Sequence, residues 1–319
     1  MKFASIAIAA ASFLVFNASS LAADQAPPVT DWSIETVIVT AQAPGPAFWH
    51  LTKGDSEIWI LGTLGPMPEK LAWNTKHLAE IIDGARAVLL PAKASAGFFD
   101  VAWFLLTNRE LLAMPDGQKL EDSLASALRA RFVAARESIG RKADHYEDDA
   151  PIVAALKLEN EFNDAKKLSW DEPARAVRKI ARAKHVKLRE IANYDATPLA
   201  KELLKLSPEA SRACLENAVG DVEARAAHAM PAAEAWAVGD LAGIKAHYSA
   251  TQLVACAKKT GSYTKLDQRG VADTLAAIDE ALSKPGKTVL LVDIGSLLRS
   301  TGVVEKLRAQ GVVIEGPAE

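Results

Sequence analysis

Two short apolar runs near opposite ends of the chain constrain its fold more than any other feature. Ile58–Leu61 leads into Gly62-Thr63, and "KTVLLVDIG" (Lys287–Gly295) also closes on a glycine. Neither run alternates polar with apolar, which marks a strand covered on both faces. Between them, "DVAWFLLTNRELLAM", "EDSLASALRARFVAARESI" and "APIVAALKLENEF" carry apolar residues at spacings of three and four, the helical period. Strand-rich ends around a helical middle predict an α/β fold. Its central mixed sheet is built from both ends of the chain, with a large all-helical insertion over about 96–260. The two glycine-ended units, Ile58–Gly62 and Val289–Gly295, then read as two halves facing one site.

Shorter signals fill in this frame. Phe48–Thr52, a Lys53-Gly54-Asp55 turn and Glu57–Leu61 form a hairpin. A helix is expected over Asn74–Asp83, then buried strands at Ala85–Ala92 and Val186–Ile191. Asp149 before Pro151 and Ser207 before Pro208 read as helix entries. Two helices hold the cysteines, with "AAEAWAVGDLAGI" (Ala232–Ile244) between them. A helix stopping at Pro285-Gly286, a helix ending in Gly311 and a last strand "VVIEG" complete the pattern.

Lys2, an apolar stretch from Ile6 to Phe16 and small residues at "SSLAA" predict a signal peptide over 1–23, cleaved near Ala22 or Ala23. The exported protein is expected to be soluble, in the periplasm or secreted. Residues 24–46 read as an extended arm. Its "ETVIVTA" is similar to a TonB box, but an edge strand or tether is the preferred reading. The main domain then covers 47–319. A net charge of −3 without a basic stripe excludes nucleic acid as a partner. The chain has two cysteines, Cys214 and Cys256. In an exported protein an even count predicts that they are bonded to each other. Such a bond stabilises the fold by roughly 4 kcal/mol in the chain-entropy model.

"FWHLTKGDSEIWILGT", "AWAVGDL" (Ala235–Leu241), Arg269 and "GKTVLLVDIGSLL…GVVEKLRAQG" occur in an order that resembles the TraB/PrgY/GumN family, in one superfamily with the Tiki proteases. The likeness runs from about Phe48 to Gly316. It implies a metallohydrolase frame in which each Gly-ended strand leads to a Gly-x-x-His motif. A glutamate closes the intervening strand and an Arg-Asn pair opens the penultimate helix. Two imidazoles and a carboxylate converging there make a metal site that activates water.

Matched position by position, the metal donors are gone. Gly65 stands where the first histidine belongs, Leu298 at the second and Pro91 at the acid; Arg269 is kept, but Gly270 replaces the asparagine. The resemblance therefore implies a degenerate cleft kept by Gly62, Thr63, Trp73, Arg269, Gly295 and Ser296. Trp73 is a rim aromatic and Arg269 the anchor for an anionic group. The expectation is a non-catalytic protein without a cofactor that binds a peptide, a saccharide or an envelope partner. One alternative is a hydrolase using Mn, Co or Zn with a site rebuilt from residues such as His50 and Glu57. Another is an interaction protein acting through its helical insertion. The remaining histidines read as structural: His77 one turn from Glu80, His145 in an acidic loop, and His185, His228 and His247 on helices. No Gly-x-Ser-x-Gly elbow or phosphate loop is present.

Overall fold

The computed structural model describes residues 45–248, 251–299 and 302–317. The signal peptide, its cleavage point and the TonB-box-like stretch lie outside the described residues. Ten strands are β1 (Phe48–Lys53), β2 (Ser56–Thr63), β3 (Met67–Pro68), β4 (Ala87–Leu90), β5 (Lys93–Ser95), β6 (Leu168–Ser169), β7 (Lys187–Glu190), β8 (Asn193–Asp195), β9 (Gly286–Asp293) and β10 (Ile314–Glu315). The helices of the first half are α1 (Lys76–Ile82), α2 (Phe98–Thr107), α3 (Ser126–Ser138), α4 (Pro151–Lys166) and α5 (Glu172–Ala183). Those of the second are α6 (Thr197–Leu204), α7 (Pro208–Val238), α8 (Leu241–His247), α9 (Leu253–Ala257), α10 (Gly261–Leu282), α11 (Ile294–Leu298) and α12 (Val303–Ala309).

The central sheet is mixed and six-stranded, in the order β10-β1-β2-β9-β4-β7. β1 is antiparallel to β2 and β10, while β2, β9, β4 and β7 run parallel. The unbroken apolar runs occupy its middle. Val289 to Val292 are all buried, as are Val88 to Leu90. Helices cover both faces, which is why these strands show no alternation.

The middle of the chain is less purely helical than its pattern predicts. It contributes β6, β7 and β8, and β7 joins the central sheet as an edge. "KLRE" places only Leu188 against the core, a composition suited to an edge strand. A second departure is α7, expected as two elements but continuous for 31 residues with Pro231 inside it. Ser207 caps its start by accepting from the Ala210 amide, and Gly239, at φ 76°, ends it. A Cβ at Gly239 would stand 2.7 Å from the Gly45 carbonyl oxygen, so this turn needs glycine twice over. Asp149, expected to cap α4, instead pairs with Lys157 at 2.7 Å, and Ala150 takes the cap position.

α7 joins two cores. Its first half packs Leu215, Val219 and Val222 against Leu158, Phe162 and Phe132 of α4 and α3. Its last turns carry Trp236 under the sheet, where the indole N–H donates to the Gly62 carbonyl at 2.7 Å. Cys214 on α7 is bonded to Cys256 on α9, with Cα atoms 5.6 Å apart. That bond ties the short helices after α8 back onto the long one. Among the described residues, no helix is long and apolar enough to cross a membrane.

Candidate functional site

In a parallel sheet, strand carbonyl ends and the loops after them form the natural crevice. The register builds that crevice here: Thr63 of β2 lies opposite Asp293 of β9, and β4 runs alongside β9 with Pro91 just beyond it. A cavity of about 190 Å³ opens at this edge, lined among others by Pro91, Asp267, Gly270, Thr274, Asp293 and Ser296. α10 supplies four lining residues, Asp267, Gly270, Val271 and Thr274. Their spacing of three, four and seven is one helical face.

Asp293 is the polar centre of this cavity. Its Oδ1 accepts from the Ser296 amide at 2.9 Å and so caps α11. β9 therefore ends at Asp293, and Gly295 and Ser296 belong to the first turn of a short helix, not to a strand end. The side chain reaches solvent through the cavity mouth while protein packs its other sides. That crowding raises its carboxyl above the ordinary value of 3.8, against the opposing pull of the Ser296 amide and hydroxyl and of Arg299. Asp267 pairs with Arg299 at 3.3 Å. Tyr248 lies beside Gly295. Its hydroxyl would be 3.3 Å from a Cβ at Gly295, and burial followed by the Asp293 charge pushes the phenol up.

The residues expected to form the cleft separate into three groups. Ser296 lines the cavity, as do Pro91 and Gly270, whereas Gly295 does not. Gly62 and Thr63 are committed to the scaffold. A Cβ at Gly62 would lie 2.9 Å from the Trp49 ring, and Thr63 Oγ1 donates to the Val292 carbonyl at 3.2 Å. Trp73 is half-buried, edge-on to Trp236 at 5.1 Å. Arg269 lies elsewhere. Its guanidinium sits 4.9 Å over the Tyr194 ring on an exposed turn, so it is not the cavity's anchor. The reason is angular: Arg269 is two residues from Asp267, about 200° around α10 from the lining face.

Leu298 and Gly65, the other two positions expected to mark lost metal donors, do not line this cavity. Leu298 is buried in the main core. Gly65 is covered by Trp170, whose ring would be 2.8 Å from any Cβ there. His50 and Glu57, the candidates for a rebuilt site, do pair at 3.1 Å; His50 stacks on Trp59, whose indole N–H donates to Glu57. Glu57 is six residues before Thr63, however, so the pair sits roughly 20 Å back along the strand from the crevice. Among the described residues, no group of three or more His, Cys, Asp or Glu is arranged to hold a metal ion. Asp293 was missed by sequence reading, although an acid ending the most strand-like run is a readable signal. His228 and His247, read from the sequence as structural, meet across α7 and α8 beside Gly65.

A family model described as the TraB/PrgY/gumN family matches residues 47–316. No curated protein and no solved structure gives a match to the chain.

Proposed function

The chain belongs to the TraB/PrgY/gumN family, and from that premise we propose that it is an exported, non-catalytic member that binds a saccharide or peptide at its strand ends. One observation carries this reading. The cavity is lined by two carboxylates and two hydroxyls, Asp267, Asp293, Thr274 and Ser296, while proline and glycine stand at Pro91 and Gly270. Carboxylates and hydroxyls accept from sugar hydroxyls and peptide amines. An anionic ligand is disfavoured, because the cation expected to hold it, Arg269, lies on Tyr194. In this reading the protein works in the periplasm or outside the cell, without a cofactor.

The test has two arms. Protein supplied with Mn²⁺, Co²⁺ or Zn²⁺ is expected to leave a peptide library uncleaved; metal-dependent cleavage would make it a hydrolase. In a glycan and peptide binding screen, Gly270→Phe is expected to lose any ligand the wild type holds. A Cβ at Gly270 meets nothing within 4 Å, so the ring can fill the mouth without disturbing the fold. A ligand bound equally by wild type and Gly270→Phe would place binding elsewhere.

A second reading, an interaction protein acting through the insertion, is favoured by α2. Phe99, Trp103 and Leu106 are 84, 71 and 59% exposed, beside an apolar groove of about 680 Å³ lined by Leu105, Val153, Leu156 and Leu203. Solitary exposed apolar residues are ordinary, but three on one helix are a patch. Trp103→Asp is expected to abolish a partner contact made there and to leave ligand binding at the strand ends intact.

A further inference from the structure

α4 and α7 meet along an apolar seam, yet that seam encloses charge. Glu159 and Asn163 stand one turn apart on α4 and face Asp221 and Arg225, one turn apart on α7. All four are buried. Arg225 donates to Glu159 at 2.9 Å and reaches Asn163 at 3.5 Å, while the Trp170 ring lies 5.7 Å from its guanidinium. Two carboxylates thus share one cation away from water, and a buried charge without a partner of its own is destabilising.

The hydrogen bonds sharpen the imbalance. Asp221 commits both oxygens to the entry of α9, accepting from the Gln252 amide at 2.6 Å and the Leu253 amide at 2.8 Å. Glu159 keeps one oxygen for Arg225, and its other oxygen, Oε1, is buried without a donor. The Asp221 carboxylate is within hydrogen-bond reach of Glu159. Two acceptors meet there, and a proton on one of them supplies the missing donor. Burial pushes the Glu159 carboxyl up to about 7, with Asp221 adding to the rise and Arg225 opposing it.

The other charges on the packed elements are engaged elsewhere. Lys157 holds Asp149, Arg131 of α3 holds Glu223, and Glu161 holds Arg141 and His145. Lys201 and Lys205 of α6 lie over Phe104, and Lys258 and Lys259 after α9 are exposed. His228, His247 and Tyr248 share the small cavity of about 30 Å³ with Asp221 and Arg225, and the two imidazoles face each other at 3.4 Å.

We infer that Glu159 and Asp221 share one buried proton, and that this proton is a latch: while it is present Asp221 holds the entry of α9, and its loss frees that entry. Once the proton leaves, two anions face each other across the seam. Asp221 can then turn to Arg225 only by releasing the Gln252 and Leu253 amides. Thr251, beside them, lines the small cavity, so the release opens that cavity. The Cys214–Cys256 bond keeps α9 tied to α7, which makes the release local. The folded chain binds this proton more tightly than the unfolded chain, whose ordinary value is 4.5. The latch is therefore closed below that value and opens as the pH rises through the raised one. It uses no residue of the strand-end cavity, so either reading can fail alone.

The test is amide hydrogen exchange at Gln252 and Leu253 in wild type and Glu159→Gln, the two proteins always compared at the same pH. The carboxamide can accept from Arg225 and donate to Asp221, so it stands in for the proton at every pH. At about pH 5 the two are expected to exchange alike, and at about pH 8 wild type is expected to exchange more than about tenfold faster. Wild type labelled with carbon-13 at its glutamate carboxyls is expected to show one carboxyl titrating near neutrality, a signal that does not depend on the variant folding. Equal exchange in the alkaline sample, or a variant that exchanges faster than wild type in both samples, overturns the inference. So does a wild type whose glutamates all titrate in the ordinary carboxylate range.

Discussion

Two cavities open near this end of the sheet, and they have opposite origins. The larger is assembled from sheet ends and α10, and its polar groups are carboxylates and hydroxyls. The smaller borders the sheet only at Leu64, Gly65 and Pro66, and everything ionisable in it comes from α7 and α8. The difference teaches that the shape of a site and its donors are inherited separately. Strand register dictates where a crevice opens, whereas the side chains filling it depend on which helix turn faces inward.

The hardest blow to this arrangement is Trp236→Ala. The indole is fully buried, holds the Gly62 carbonyl and meets Trp73 edge-on, so it fastens α7, and with it the smaller cavity, to the sheet. Removing it leaves a large void and an unpaired carbonyl, with an expected loss of about 3–5 kcal/mol of stability. Chemical denaturation checks this. A loss below about 1 kcal/mol would mean that α7 and the sheet are not coupled through this residue.

Next in size is the contact of Trp170 over Gly65. Gly65→Ala is expected to cost about 1–3 kcal/mol, because its new methyl meets the Trp170 ring at 2.8 Å. Trp170→Ala in the same chain is expected to relieve most of that cost, since Trp170 is largely exposed. A double-mutant cycle measures the coupling. Additive effects would show that Trp170 does not occupy the space a side chain at position 65 would need. The same contact means that reintroducing histidine here requires displacing Trp170 first. Reintroducing it at Leu298 would bury an imidazole in apolar surroundings.

Much of this frame is legible in sequence, and the limits have identifiable causes. β2, β9 and the Cys214–Cys256 pair follow from local runs and from counting. The β2–β9 pairing follows from two buried strands needing neighbours. Trp170 over Gly65 does not follow, because it joins residues 105 positions apart through the β3–β6 bridge, which is only two residues long on each side. Nor does the meeting of His228 with His247, which depends on the angle at which α8 turns back after Gly239. Arg269 shows the finest limit: motif matching finds the right helix, but 200° of rotation decides between Arg269 and Asp267.

A smaller effect, of opposite sign, is expected at Gly270. It lies inside α10 with open space around its missing Cβ, so Gly270→Ala should stabilise by about 0.5–1 kcal/mol through helix propensity alone. Thermal melting reads this directly. A destabilised variant would show that Gly270 needs to be glycine for backbone reasons, and that its departure from the family's asparagine is structural and not an opening of the cavity mouth.

The subtlest difference between the two cavities is in protonation at Asp293. Crowding by protein holds its carboxyl above 3.8 in the folded chain, while the unfolded chain returns it to that ordinary value. The folded state therefore binds the proton more tightly, and between the two values it carries more protons than the unfolded state. Stability contributed by this group is present below the ordinary value and declines as the pH rises through the raised one. Asp293→Asn removes the titration yet keeps an oxygen that can accept from the Ser296 amide, the contact that caps α11. Thermal midpoints of wild type and variant should lie closest in acid. The variant should gain on the wild type as the pH climbs past the ordinary carboxylate range. If the wild type gains instead, Asp293 is stabilised as the anion. The strand-end cavity would then favour a cation.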